Sequence, residues 1–211
     1  MPARVGYTAR VPSAALLTYR LALLAALPLA APWLLIAARV RGKSRPPISS
    51  RLWTSPPTLP QGGVWIQAVS VGEVGVARAL LRELRRRSPG APLLLTATTA
   101  TGLATATGAR LADEVVPFPL DFPGPVRRAL DAARPRVVVL VETELWPELL
   151  AACGERGVPV VLANARISDR SFAGYRRIRR LLLPLLSPLT VVLPQSDLDA
   201  ERLVALGVPK E

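Results

Sequence analysis

No histidine occurs anywhere in the 211 residues. Serine–histidine and cysteine–histidine nucleophile systems, histidine general bases and histidine-ligated metals are therefore excluded. The single cysteine, Cys153, can form neither an intramolecular disulfide nor a thiolate metal cluster. Acid–base chemistry falls to carboxylates, tyrosine, lysine or that one thiol. Two placements of carboxylates stand out. Glu73 follows Val69-Ser70-Val71-Gly72, where a strand gives way to a helix, and a general base there has no rival of suitable acidity. The same position also suits a plain first-turn acid that favours the helix dipole. Glu142 and Glu144 flank Thr143 at the end of the apolar run VVVLV, so they either grip basic groups or cap and pair locally.

Hydroxyls and guanidinium groups supply the remaining candidates. Thr98, Thr99, Thr101 and Gly102 form a small turn that either receives phosphate or sugar hydroxyls at a helix start or simply caps that helix. Ser70 and Gly72 belong to the turn that carries Glu73. Arg166 sits at a strand end in Asn164-Ala165-Arg166-Ile167-Ser168, where it can fork onto a phosphate. Arg170 follows closely, and Arg176, Arg177, Arg179 and Arg180 read as a solvated or headgroup-facing helix surface. Cys153 reads as a small packing residue. No G-x-G-x-x-G follows the first strand, and no phosphate-binding P-loop exists.

These residues need a frame, and from Val64 onward the pattern provides one. Strands are expected at Val64–Ser70, Pro92–Ala97, Glu114–Pro119, Arg136–Val141, Val158–Ala163 and Thr190–Pro194. Helices are expected at Glu73–Arg87, Gly102–Ala112, Gly124–Ala133, Pro147–Arg156, Tyr175–Leu186 and Asp197–Leu206. Continuous apolar runs such as VVVLV and VPVVLA suit strands covered on both faces, hence a parallel sheet. The fold class that follows is α/β, a doubly wound, Rossmann-like parallel sheet. In such sheets ligands bind beyond the carboxyl ends of the strands, which is the rim where nearly all the candidates above fall.

Charge is unevenly spread along the chain. Its net charge is +12, yet residues 1–72 hold eight bases and no acid. Leu21 to Ala38 is an uncharged apolar run; as a helix it would reach about 27 Å, close to the thickness of a bilayer core. Arg39, Arg41, Lys43 and Arg45 follow, as a cytoplasmic, headgroup-facing cluster should. Residues 1–41 thus read as a membrane anchor, spanning or in-plane, rather than as a cleaved leader or a buried helix. Residues 42–62, rich in proline and serine, read as a linker with Trp53 available for docking, and 63–211 as the Rossmann-like domain. Aromatic residues make up only 5% and most arginines alternate with Leu or Ala, which argues against a nucleic-acid partner.

Longer strings carry a resemblance. VWIQAVSVGE (64–73), VETELWPE (141–148) and NARISDRS (164–171), with PLDFPGPV (119–126) and Gln195-Ser196, resemble the 3-deoxy-D-manno-octulosonic acid (Kdo) transferases of lipopolysaccharide synthesis. The resemblance runs in order over nearly the whole chain. It implies a membrane-associated glycosyltransferase of the GT-B arrangement, with two facing Rossmann-like domains. Such an enzyme moves Kdo from CMP-Kdo to a lipid A precursor at the cytoplasmic face of the bacterial inner membrane, without a metal or other cofactor. The family's catalytic carboxylate, in its VSVGE motif, falls on Glu73, which takes the proton of the acceptor hydroxyl. Ser70, Gly72, Thr98, Thr99, Thr101, Gly102, Glu142, Glu144, Arg166 and Arg170 then form the acceptor side. The family usually carries histidine where Gln67 stands. Its second domain, with most of the CMP-Kdo site, is expected beyond Glu211. The alternative from a different class is a non-catalytic, membrane-tethered module that binds anionic lipid or glycan; a third reading is a related transferase using another activated sugar.

Overall fold

The computed structural model describes residues 14–26, 28, 46–143 and 145–208. A first helix, α1, covers 14–26, and α2 (Ile48–Leu52) precedes the sheet. The alternation then runs β1 (Val64–Ala68), α3 (Val71–Arg87), β2 (Leu93–Ala97), α4 (Ala100–Ala109), β3 (Glu114–Pro117), α5 (Pro123–Ala133), β4 (Val137–Val141), α6 (Pro147–Arg156) and β5 (Val160–Ala165). It ends with α7 (Asp169–Arg177), α8 (Arg179–Leu186), β6 (Leu189–Pro194) and α9 (Asp197–Leu206). The strands lie in the order β3-β2-β1-β4-β5-β6, all parallel. This is the doubly wound α/β arrangement expected from the apolar runs.

Both faces are covered, and the two-residue period of each strand sorts its side chains between them. Trp65, Leu94, Val138, Leu140 and Leu162 turn towards α5, α6, α8 and α9. Ile66, Leu93, Leu95, Val139 and Val141 turn towards α3 and α4. The helices on either side of β1 and β4 therefore leave the sheet in opposite directions. Their departure opens a crevice at the carboxyl ends of those two neighbouring strands.

Local chemistry sets the element ends. Glu73 lies in the first turn of α3 and Arg85, Arg86 and Arg87 in its last, each matching the helix dipole. Pro147 opens α6, and Gly157, at φ 66°, closes it in the left-handed region. The single helix expected over 175–186 is two: Ile178, at φ −106° and ψ 15°, breaks it, and Ser168 starts α7 six residues earlier by accepting a hydrogen bond from the Ser171 amide.

Residues 46–62, proline-rich by composition, lie against the domain. Trp53 is buried and its indole donates to the Pro117 carbonyl (3.2 Å). Arg51 is buried too, its Nε donating to the Phe118 carbonyl (3.0 Å), while Arg128 on α5 donates to the carbonyls of Leu52 and Trp53. Among the described residues no helix is long and apolar enough to cross a membrane. Most of the run Leu21–Ala38, and the basic cluster from Arg39 to Arg45, lie outside the described residues.

Candidate functional site

The β1 side of the crevice is built on the turn that starts α3. Ser70 is extended at the helix N-cap, and Glu73 sits one turn in, only 6% exposed. The Val69 amide donates to Glu73 Oε2 (2.7 Å) and the Ser70 hydroxyl to Oε1 (2.9 Å). The carboxylate thus accepts at least one hydrogen bond on each oxygen from the two residues that precede α3, and so ties the helix start to the end of β1. Gly72 is exposed beside it. The structure shows the first-turn acid of the second sequence reading, at the crevice edge where the general-base reading would need it.

The threonine turn packs directly on that loop. The Thr99 amide (3.1 Å) and hydroxyl (3.0 Å) both donate to the Val69 carbonyl, and Thr99 Oγ1 accepts from the Gly102 amide (3.1 Å) as the N-cap of α4. Gly102 is buried because a Cβ there would lie 2.9 Å from Thr99 Oγ1 and 3.2 Å from the Val69 carbonyl oxygen. Glycine at 102 permits this close approach of the two loops. Gly102→Ala should therefore lower unfolding stability by about 1–3 kcal/mol, read by denaturant titration, as an overpacked methyl forces the Glu73 loop aside. Thr101 is exposed with its hydroxyl 3.5 Å from Thr99 Oγ1. Thr98, half-buried at the rim, accepts from Gln67 Nε2 (3.0 Å).

The β4 side is conformationally costly. Glu142 (φ 61°) and Asn164 (φ 55°) are in the left-handed region without being helix C-caps, one just past β4 and the other in β5 where the register shifts against β6. Thr143 bridges the two loops: its hydroxyl accepts from the Arg166 amide (2.9 Å) and donates to the Arg166 carbonyl. The guanidinium groups of Arg166 and Arg170 belong to exposed residues and enter no ion pair among the described residues. Glu144 lies outside the described residues. The sequence-derived candidates thus gather on the β1/β2 loops and on the β4/β5 loops at one rim.

A second layer of polar residues supports this rim. Asp121, only 7% exposed, accepts from the amides of Glu148 (3.1 Å) and Leu149 (3.0 Å) at the start of α6 and from the Tyr19 hydroxyl (2.9 Å) of α1. Burial pushes its carboxyl up to about 6, against the hydrogen bonds that favour the charged form. Arg20, the next residue of α1, makes a two-point pair with the buried Glu148 through Nε and through Nη2 (2.9 Å). Desolvation and the Asp121 charge hold the Tyr19 hydroxyl well above its ordinary range. Asp121 was visible in the sequence as a strand-end acid inside PLDFPGPV. Tyr19 and Arg20, more than a hundred residues upstream of their partners, gave no local signal.

Cys153 is fully buried in α6 and burial pushes its thiol up to about 12, so it takes no part in the rim. Iodoacetamide at pH 8 should leave it unmodified in the folded chain and alkylate it fully in guanidinium, as mass spectrometry would read. Among the described residues no group of three or more histidine, cysteine or acidic side chains could hold a metal ion.

A doubly wound parallel sheet whose helices part at a β1/β4 switch point defines a Rossmann-like α/β domain. The family model for 3-deoxy-D-manno-octulosonic-acid transferase (kdotransferase) matches residues 47–211, and the chain belongs to that family. It is similar to a 3-deoxy-D-manno-octulosonic acid transferase of Bordetella pertussis, 41% identical over 152 residues, covering 68% of this chain and 35% of that protein. The same-named protein of Haemophilus influenzae is 36% identical over 154 residues, covering 72% and 36%. A bifunctional glycosyltransferase/methyltransferase of Fusobacterium nucleatum is 34% identical over 155 residues, covering 70% and 23%. The chain spans about a third of the length of these first two relatives.

Proposed function

We propose that this chain is the acceptor-side half of a Kdo transferase in lipopolysaccharide synthesis, moving Kdo from CMP-Kdo to a lipid A precursor. The observation that carries the reading is Glu73: a buried carboxylate, fixed on both oxygens, at the switch-point crevice of a domain from this family. In the proposed step Glu73 accepts the proton of an acceptor sugar hydroxyl. The freed oxygen attacks the anomeric carbon of Kdo, the bond from that carbon to the CMP phosphate oxygen breaks, and CMP leaves with the electron pair. Water-exposed Arg166 and Arg170, with the hydroxyls of Thr98 and Thr101, supply donors suited to a phosphorylated sugar, while the Ser70 hydroxyl is engaged as a donor to Glu73.

The finer parts of the proposal are a GT-B arrangement in which a second Rossmann-like domain brings the donor, and attachment to the cytoplasmic face of the bacterial inner membrane. What supports attachment is the acid-free N-terminal region of residues 1–72 and its apolar run, together with Leu17, Leu21 and Leu24, each more than half exposed on α1. Residues 1–41 then act as anchor and 63–211 as the acceptor-binding domain.

The test follows both substrates. The chain should bind lipid A precursor in mixed micelles, more weakly as salt rises. Paired with a donor-binding half, it should release CMP from CMP-Kdo only when that acceptor is present. No acceptor binding, or CMP release indifferent to the acceptor, would remove the reading.

A further inference from the structure

A chain of four hydrogen-bonding side chains runs beneath the rim, and one member fixes the direction of all the others. Trp65, fully buried on β1, places its indole Nε1 2.8 Å from Thr96 Oγ1, which is also fully buried. An indole N–H can only donate, so Thr96 must accept. Thr96's own hydrogen then goes to Gln67 Oε1 at 2.5 Å, because the competing Ile66 carbonyl is 3.4 Å away. Gln67 and Thr96 are register partners on β1 and β2, which is what sets them side by side. With Gln67's oxygen committed inward, its amide nitrogen faces Thr98 Oγ1 at 3.0 Å and donates to it. Every link thus points from the core to the rim, and successive bonds of one sense reinforce each other.

Thr98 ends the relay as an acceptor from inside. Its hydroxyl hydrogen has no protein acceptor among the described residues, and Thr98 is half-buried beside the loop that carries Glu73. We infer that Thr98 is a specificity-determining hydrogen-bond donor to an anionic oxygen of the bound substrate, a phosphate or carboxylate, and that Gln67 is the positioning residue that keeps the Thr98 hydrogen turned outward. The identity of the ligand rests on the glycosyl-transfer reading above; the polarity of the relay does not.

Two measurements separate those dependencies. In the ligand-free chain, NMR should find the Trp65 indole proton and one Gln67 side-chain amide proton in slow exchange with solvent. Fast exchange of the Gln67 amide overturns the relay whatever the ligand. In the second measurement, lipid A precursor and CMP-Kdo are titrated separately, which tells an acceptor phosphate from a donor anion. Thr98→Val should weaken one of them by about tenfold to a hundredfold, the range for a hydrogen bond to a charged group, and Thr98→Ser should restore it. Equal binding of both probes by Thr98→Val overturns the inference. If the unaltered chain binds neither, it is the proposed function that falls, and the NMR result still decides the relay.

Gln67→Glu supplies a readout that mere packing would not move. The ionised carboxylate it introduces cannot donate, so it accepts from both threonines and turns the Thr98 hydrogen inward. Once protonated, the same carboxyl can donate again. Affinity relative to the unaltered chain should therefore match Thr98→Val at high pH and recover as pH falls. A ratio flat with pH overturns Gln67's role.

Discussion

Replacing Glu73 by glutamine should lower the rate of the proposed Kdo transfer by about 10²–10⁴-fold, the usual worth of a positioned general base. Acceptor affinity should change by less than about threefold. The split is expected because glutamine keeps the size of the side chain and one accepting oxygen. That oxygen can take the Val69 amide, which now bonds Oε2, while the Ser70 hydroxyl can rotate to accept from the new amide nitrogen. The cap therefore survives at a cost of about 1 kcal/mol or less, whereas proton removal is lost outright. Steady-state transfer by this chain paired with a donor-binding half, read beside the thermal unfolding midpoint, separates these effects. A variant that folds normally and keeps more than a tenth of the rate would show that Glu73 is a cap and nothing more.

That cap explains why residue type and spacing could locate Glu73 without choosing between its roles. A first-turn acid is what a helix start wants and what a rim base would look like. The sheet was easier to read: runs such as VVVLV need cover on both faces, and once β1 to β6 alternate with helices the parallel order follows. That residue 102 has a steric need for glycine is disclosed only by the approach of Val69 and Thr99. The segment around Trp53 looked like linker because prolines dominate its composition, while one buried indole and the Arg51 guanidinium decide where it lies. Least legible were groupings that depend on register or on distant segments. Gln67 and Thr96 meet only because β1 and β2 pair in one register, and Tyr19 and Arg20 meet Asp121 and Glu148 across more than a hundred residues.

The last of those groupings carries a large pH effect. Asp121 faces Tyr19 and Arg20 from α1 and Glu148 from α6, and its carboxyl is pushed from the ordinary 3.8 up to about 6 mainly by burial. A raised folded-state value means that the native protein binds this proton more tightly than the unfolded chain does. The associated stability is fully present below about 4 and is lost as pH rises through about 6. The gap between the two values corresponds to about 3 kcal/mol of stability lost from this group between pH 4 and pH 7. Asp121→Asn cannot titrate, so its stability should lack that component. Because asparagine offers only one accepting oxygen, it leaves the amides of Glu148 and Leu149 sharing it, which costs about 1–3 kcal/mol at every pH. Urea titrations of both proteins at pH 4, 5, 6 and 7 should therefore find the variant weaker at pH 4 and level with, or ahead of, the unaltered chain by pH 7. Parallel curves would mean that Asp121 keeps an ordinary acidity, with water reaching it between α1 and α6. Convergent curves would mean that α1 seals the site, because removing the Tyr19 helix is what would rehydrate the carboxylate. Tyr19→Phe removes a hydrogen bond that favours the charged carboxylate, so it should push the Asp121 value further up and steepen the loss of stability between pH 5 and 7. A flatter slope in Tyr19→Phe would instead mean that losing the hydroxyl lets water reach Asp121, and that Leu16 and the Arg20–Glu148 pair do not hold α1 in place without it.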